Sequence, residues 1–148
     1  MQAMIAVGPF GGAQGTSHDM TGTSKKLQSV TVYSSKDGAG GHINGISFSY
    51  ENDQGSTTSV DTWGTAAGSK ATFTIPAGAY LANLSGTFDN NVKSLTFVTS
   101  DGEPYGPYGD PAAGKGFEIP MHKGAIVGFF AHSGGVLNSL GAYVGAQP

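Results

Sequence analysis

Short apolar runs that alternate with polar residues dominate the chain. Val, Ile, Thr, Phe and Tyr fill these runs, and Gly, Pro, Asn or Ser separate them. Alternation with a period of two is typical of β-strands. The runs are SVTVYS (29–34), ISFSYE (46–51), ATFTI (71–75), AYLANLSGTF (79–88), SLTFVT (94–99), GFEIP (116–120), AIVGFFAHSG (125–134) and SLGAYV (139–144). Gly or Pro interrupts every stretch in which apolar residues recur at helical spacing. The pattern therefore predicts an all-β fold.

Two patterns recur along the chain at intervals of 45–53 residues. The first is a strand pattern that occurs as INGISFSY (43–50), VKSLTFV (92–98) and LNSLGAYV (137–144). The second is an aromatic residue, a Gly, a loop of small residues and another Gly, found as FGGAQGTS (10–17), WGTAAGSK (63–70) and YGDPAAGK (108–115). A unit of this size cannot bury its apolar face alone, so three units should close around a common axis. We expect a single domain over residues 1–148 with three equivalent sheets.

Composition and charge exclude several classes of function. The chain carries a net charge of −3 and no arginine, and arginine supplies much of phosphate and base recognition, so nucleic acid is not an expected partner. The absence of cysteine excludes disulfides and thiolate metal sites. The four histidines have no metal-ligand spacing, and we expect neither a metal nor another cofactor.

Localisation follows from the absence of targeting patterns. The first residues lack the basic region of a signal peptide, and no stretch approaches the roughly 18 apolar residues of a membrane span. We therefore expect a cytoplasmic or nuclear protein that does not contact membranes.

The third glycine loop has the spacing of a phosphate-binding loop. Gly109, Gly114 and Lys115 fit the pattern G-x-x-x-x-G-K, but Gly116 replaces the required Ser or Thr. A true phosphate loop follows a buried strand and opens a helix, whereas this loop follows a segment containing Pro104 and leads into a strand. Because its two sister loops lack the Gly-Lys pair, we interpret all three as turns that also expose backbone N–H donors.

Three segments make the chain resemble the jacalin-related lectins over its whole length. They are VGPFGGAQG near the start, PYGPYG before the third loop and GFFAHSGGVLNSLGAYV near the end. The last of these is similar to the family's G-x-x-x-D sugar loop and the strand that follows it. The resemblance implies a β-prism I fold of about 12 short strands with threefold pseudo-symmetry. It also implies a non-enzymatic protein that binds mannose- or glucose-type mono- and oligosaccharides and acts in plant defence or stress. The sequence leaves the oligomeric state open, with a homodimer as one alternative.

By this resemblance, the primary sugar site combines the first glycine loop with the last repeat. Gly15 would supply a backbone N–H group. Gly134 would belong to the same loop cluster, and Gly135 and Val136 would offer further N–H donors. Asn138 stands where the family has its aspartate.

The resemblance implies a second sugar site at the next pair of loops and none at the third. The second site would contain Gly40, Gly41, His42 and Asn44, opposite Gly68 of the second glycine loop. In the third copy Lys93 replaces the acceptor, and lysine can only donate hydrogen bonds, so no sugar is expected there.

Asparagine in place of aspartate at both sites departs from the family pattern. A carboxylate accepts from two hydroxyls through charge-assisted bonds, which are about twice as strong as neutral bonds, so binding should be weaker. An alternative is a β-prism that has lost sugar binding and now serves as a protein-interaction or oligomerisation module. A polysaccharide-active enzyme is a further alternative, although no pair of carboxylates or Ser–His–Asp arrangement is evident.

Overall fold

The structure is a computed structural model that describes residues 3–36 and 41–148. In this part of the chain all regular secondary structure is β-strand, and no helix is long and apolar enough to span a membrane. The strands are β1 (Ile5–Gly11), β2 (Thr16–His18), β3 (Ser24–Ser35), β4 (His42–Asn52), β5 (Thr57–Gly64), β6 (Ser69–Thr74), β7 (Leu81–Phe88), β8 (Val92–Thr99), β9 (Pro104–Gly109), β10 (Lys115–Pro120), β11 (Gly124–Ser133) and β12 (Leu137–Ala146).

The strands form three antiparallel four-stranded units with the same topology. Their orders are β1-β12-β11-β2, β5-β4-β3-β6 and β9-β8-β7-β10. The first and third units join through a single pairing of Ile126 with Leu81, and the sheets do not close into a barrel. Each unit has a central hairpin flanked by two outer strands, which are joined to each other by a glycine loop. The predicted all-β fold with three pseudo-equivalent sheets is confirmed.

Aromatic side chains from all three units meet in the core. Phe129 of β11 packs edge-to-face against Phe48 of β4 and Phe97 of β8, with ring centroids 5.1 and 6.2 Å apart. Phe48 and Phe97 occupy the same position in the strand repeat, where β12 has Ala142. Phe129 lies directly opposite Ala142 in the β11–β12 ladder. The small residue in the third copy therefore coincides with a large one on the neighbouring strand, and the core stays filled.

The four strands that no sequence pattern predicted are all outer strands. They are β1, β2, β5 and β9, each paired with one neighbour only. Pro104 and Pro107 lie in β9, which confirms that this segment is not a central strand and shows that it is an edge strand instead. An edge strand tolerates proline because one side of its backbone needs no ladder hydrogen bonds.

Candidate functional site

Six loops lie together at one end of the prism. The glycine loops connect each pair of outer strands, at 12–15, 65–68 and 110–114. Each glycine loop lies beside the end of its sheet's central hairpin, at 134–136, at residues 36 and 41, and at 89–91 respectively. Residues 37–40 are outside the described part of the chain. The same backbone hydrogen bond joins loop and hairpin in every unit: Gly12 N to Asn138 O (2.9 Å), Thr65 N to Asn44 O (2.9 Å) and Asp110 N to Lys93 O (2.8 Å).

In the first unit, this arrangement brings the start and the end of the chain together. The Asn138 side-chain amide donates from Nδ2 to the carbonyl oxygen of Gln14 at 2.9 Å. Gly15 has φ of +87°, and a Cβ atom there would lie 2.9 Å from Asn138 Nδ2 and 2.4 Å from the carbonyl oxygen of Ser133. Only glycine fits this position without displacing its neighbours. The predicted proximity of Gly15 and Asn138 is therefore present in the fold.

Three backbone N–H groups at this site have no acceptor among the described residues. They belong to Gly15, Gly135 and Val136, the donors that the family resemblance implies. Gly134 differs, because its N–H donates to the carbonyl oxygen of Val136 at 3.0 Å and so shapes the hairpin tip. Since the Asn138 amide nitrogen points to the glycine loop, its Oδ1 is left as an acceptor, and no described group donates to it. The site thus offers three donors and one acceptor to a ligand.

The second unit repeats the geometry. The Asn44 amide donates from Nδ2 to the carbonyl oxygen of Ala67 and to Ser35 Oγ, both at 2.8 Å. A Cβ atom on Gly68 would lie 2.8 Å from Asn44 Nδ2, as on Gly15 in the first unit. Asn44 is buried, whereas Asn138 is half-buried. The amide of Asn44 is therefore less accessible to a ligand than that of Asn138.

The remaining residues predicted for the second site lie on the β3–β4 hairpin. Gly41 is buried, and a Cβ atom there would lie 2.9 Å from Asp110 Cβ in the third glycine loop. His42 is the first residue of β4 and is half-buried. Gly40 lies outside the described residues.

The third unit keeps the backbone arrangement and changes the chemistry. A Cβ atom on Gly114 would lie 2.4 Å from the carbonyl oxygen of Phe88, the counterpart of the Gly15 contact. Here, however, Lys93 Nζ lies 3.6 Å from Asp89 Oδ1. The slight burial of Asp89 opposes its ionisation, but the N–H of Asn91 and the Lys93 charge outweigh this effect and hold its pKa below the usual value. An ion pair occupies the place where the other two units present an amide.

The loops of different units also contact each other around the prism axis. Thr65 Oγ1 of the second glycine loop donates to the carbonyl oxygen of Gly135 at 2.9 Å. A Cβ atom on Gly12 would lie 2.4 Å from the carbonyl oxygen of Asn90. Together with the approach of Gly41 to Asp110, these contacts make each glycine loop a neighbour of the next hairpin tip.

The sequence analysis did not identify the loop carbonyls that hold the two asparagines. Gln14 and Ala67 occupy the same place in the aligned glycine loops, directly before Gly15 and Gly68. The alignment of the repeats was the available signal, but a carbonyl group carries no side-chain identity that marks it as an acceptor.

Two of the four histidines, His18 and His132, bond to serine hydroxyls. His18 Nε2 lies 2.7 Å from Ser133 Oγ, and His132 Nδ1 lies 3.1 Å from Ser139 Oγ. Across residues 3–36 and 41–148, no group of three His, Cys, Asp or Glu side chains is placed to hold a metal ion.

Comparison with known proteins identifies the family. Residues 7–143 match the jacalin-like lectin domain. The chain belongs to the jacalin-like lectin family. Horcolin from Hordeum vulgare is 31% identical over 151 residues, covering 97% of this chain and 99% of horcolin. A mannose/glucose-specific lectin from Parkia platycephala is 28% identical over 97% of this chain, which corresponds to 32% of that longer protein.

Solved structures agree with this assignment. A mannose-binding jacalin-related lectin from Ananas comosus has a TM-score of 0.88 and 29% identity, covering 97% of this chain and 99% of that one. An artocarpin–mannotriose complex has a TM-score of 0.81 and 27% identity, covering 95% and 97% of the two chains. The relatives of this jacalin-like domain are lectins, in agreement with the prediction of a β-prism I lectin rather than an enzyme.

Proposed function

We propose that this jacalin-like domain binds mannose- or glucose-type glycans at two loop pairs. The observation that carries the proposal is the proximity of the Gly15 loop and the 134–136 hairpin tip to the Asn138 amide, where three N–H groups have no described acceptor. A pyranose presents neighbouring hydroxyls that both donate and accept, so it can use this set of groups at once. The names of the relatives from Parkia and Ananas support mannose and glucose as the sugars.

The two sites should differ in strength. Asn44 has the same tie to its glycine loop as Asn138 but is more buried, so a sugar at the second site gains less from the amide. At the third loop pair, Lys93 and Asp89 satisfy each other, and a neutral sugar would have to displace that ion pair. We therefore expect one stronger site, one weaker site and no binding at the third.

Asparagine at position 138 has a specific consequence. Its Nδ2 holds the Gln14 carbonyl, and its Oδ1 remains as a neutral acceptor. A neutral bond to a sugar hydroxyl is about half as strong as a charge-assisted one, so affinity per site should be roughly tenfold below that of a carboxylate site. Multivalent glycans would recover part of this loss through avidity. The plant origin of the relatives supports a role in defence or stress.

The same bond supports a second candidate function. Because both asparagine amides hold loop carbonyls, they could be retained for loop structure alone, in a β-prism that serves as a protein-interaction module. Titration calorimetry with methyl α-mannoside separates the two functions. The lectin should bind about two sugars per chain, and Asn138→Ala should remove the stronger site. Methyl β-galactoside serves as the control ligand. A folded protein that binds neither methyl mannoside nor any array glycan would refute the lectin proposal.

A further inference from the structure

One side-chain hydrogen bond joins the two predicted sugar sites. Thr65 belongs to the glycine loop of the second site, and its Oγ1 donates to the carbonyl oxygen of Gly135 at 2.9 Å. Gly135 belongs to the hairpin tip of the primary site and is exposed. The bond spans 70 positions in sequence and connects two different sheets.

The Gly135 carbonyl and the Val136 N–H belong to the same peptide unit. That peptide is trans, because the cis bonds of the described chain are at Gly8–Pro9 and Gly106–Pro107. In a planar trans peptide the C=O and N–H vectors point in opposite directions, so fixing the oxygen also fixes the direction of the hydrogen. Thr65 therefore holds the orientation of the Val136 N–H, one of the donors of the primary site.

Little else restrains this peptide. A Cβ atom on Gly135 would meet no atom within 4 Å, so the residue has no packing neighbours on that side. The Gly134 N–H bond to the Val136 carbonyl closes the turn but acts on the following peptide unit. Two adjacent glycines have wide backbone freedom, and a free peptide would lose entropy on binding a sugar.

Among the residues that the structure describes, the equivalent positions in the other two loops make no such contact. Gly12 has no side chain, and the Asp110 carboxylate accepts a hydrogen bond within its own loop, from the N–H of Ala112 at 3.0 Å. Of these three equivalent residues, Thr65 sends a side-chain donor to the neighbouring hairpin. The contact is thus a property of the primary site and not a general feature of the threefold arrangement.

We propose that Thr65 is a positioning residue for the primary sugar site, although it belongs to the loop of the second. The inference rests on the proposed function. Removing the hydroxyl should weaken sugar binding at the primary site about fivefold, the equivalent of one neutral hydrogen bond. Stability should change little, because the bond lies at an exposed loop.

The test compares Thr65→Val, which keeps the shape without the donor, with Thr65→Ser, which keeps the donor. Thr72→Val is the matched control, since it removes a hydroxyl that bonds to Thr31 on the outer face of the second sheet. Methyl α-mannoside is titrated while the Gly15 amide resonance is followed by ¹H–¹⁵N NMR, because that amide reports on the primary site alone. We expect about fivefold weaker binding for Thr65→Val and near-normal binding for the other two variants.

Two results would overturn the proposal. One is a Thr65→Val variant that binds as tightly as the unmodified protein, and the other is a Thr65→Ser variant that binds as weakly as Thr65→Val. If the unmodified protein binds no sugar, the proposed function fails, and the positioning role is then decided without ligand. In that case the Val136 amide resonance should shift, and its hydrogen exchange should accelerate, in Thr65→Val but not in Thr65→Ser. An unchanged Val136 amide would refute the positioning role.

Discussion

Replacing Gly15 with alanine should lower the free energy of unfolding and should also abolish mannoside binding at the primary sugar site. The residue has φ of +87°, where an L-residue pays about 1–2 kcal/mol. The added Cβ would also lie 2.4 Å from the Ser133 carbonyl oxygen, and overpacking of this kind costs about 1–3 kcal/mol. We therefore expect a loss of about 2–5 kcal/mol in the free energy of unfolding.

The threefold arrangement supplies a matched control. Gly114 has φ of +78°, and a Cβ there would lie 2.4 Å from the Phe88 carbonyl oxygen, so Gly114→Ala should cost the same stability. Its loop, however, carries the Lys93–Asp89 ion pair and is not expected to bind sugar. Gly22→Ala measures the cost of the positive φ alone, because Gly22 has φ of +71° and no atom lies within 4 Å of the added Cβ.

Urea unfolding and calorimetric titration with methyl α-mannoside measure the two effects separately. Gly15→Ala and Gly114→Ala should unfold at similar urea concentrations, and Gly22→Ala should cost only about 1–2 kcal/mol. Mannoside binding at the stronger site should be lost in Gly15→Ala and retained in Gly114→Ala. The reasoning is refuted if the Gly15 variant keeps full affinity, or if the Gly114 variant loses as much.

Further predictions concern the core, the termini and the amide of the primary site. Phe97→Ala should lower the free energy of unfolding by about 3–5 kcal/mol in urea titrations, because the side chain is fully buried. Burial and a hydrogen bond to Asp19 raise the pKa of Tyr143 to about 12. The protonated phenol therefore stabilises the fold fully below pH about 10, and this stabilisation is lost as the pH rises towards 12. In unfolding experiments, the roughly 1 kcal/mol advantage over Tyr143→Phe should disappear across that range. Asn138→Asp should cost about 1 kcal/mol of stability, since a carboxylate cannot donate to Gln14, yet bind mannoside severalfold more tightly in calorimetry; unchanged affinity would favour the interaction module.

The strands of the central hairpins were predicted well, because each of them pairs with a strand on both sides and shows clear alternation of apolar and polar residues. β4, β8 and β12 carry the repeated strand pattern, and alternation is strongest where one face is fully buried. Four of the six outer strands, β1, β2, β5 and β9, were missed because one edge of an outer strand needs no pairing, so glycine and proline are tolerated and the alternation fades. β1 illustrates this, since IAVGPFG contains both residues within seven positions.

The candidate site was predictable in its positions but not in its bonding. Repeat spacing and family resemblance brought Gly15 and Asn138 to attention, and the fold places them side by side. The partner of the asparagine is a backbone carbonyl, and Thr65 acts from another repeat altogether. Such contacts depend on how three sheets close around an axis, which no local pattern encodes.

The most direct test of the account is a ¹H–¹⁵N NMR titration of the whole chain with methyl α-mannoside. The account predicts that the largest shifts fall on the amides of Gly15, Gly135 and Val136, with smaller and later shifts around Gly68 and none in residues 110–114. Shifts confined to other surfaces, or no shift at high sugar concentration, would contradict the claim that converging backbone donors from the two ends of the chain form a sugar site.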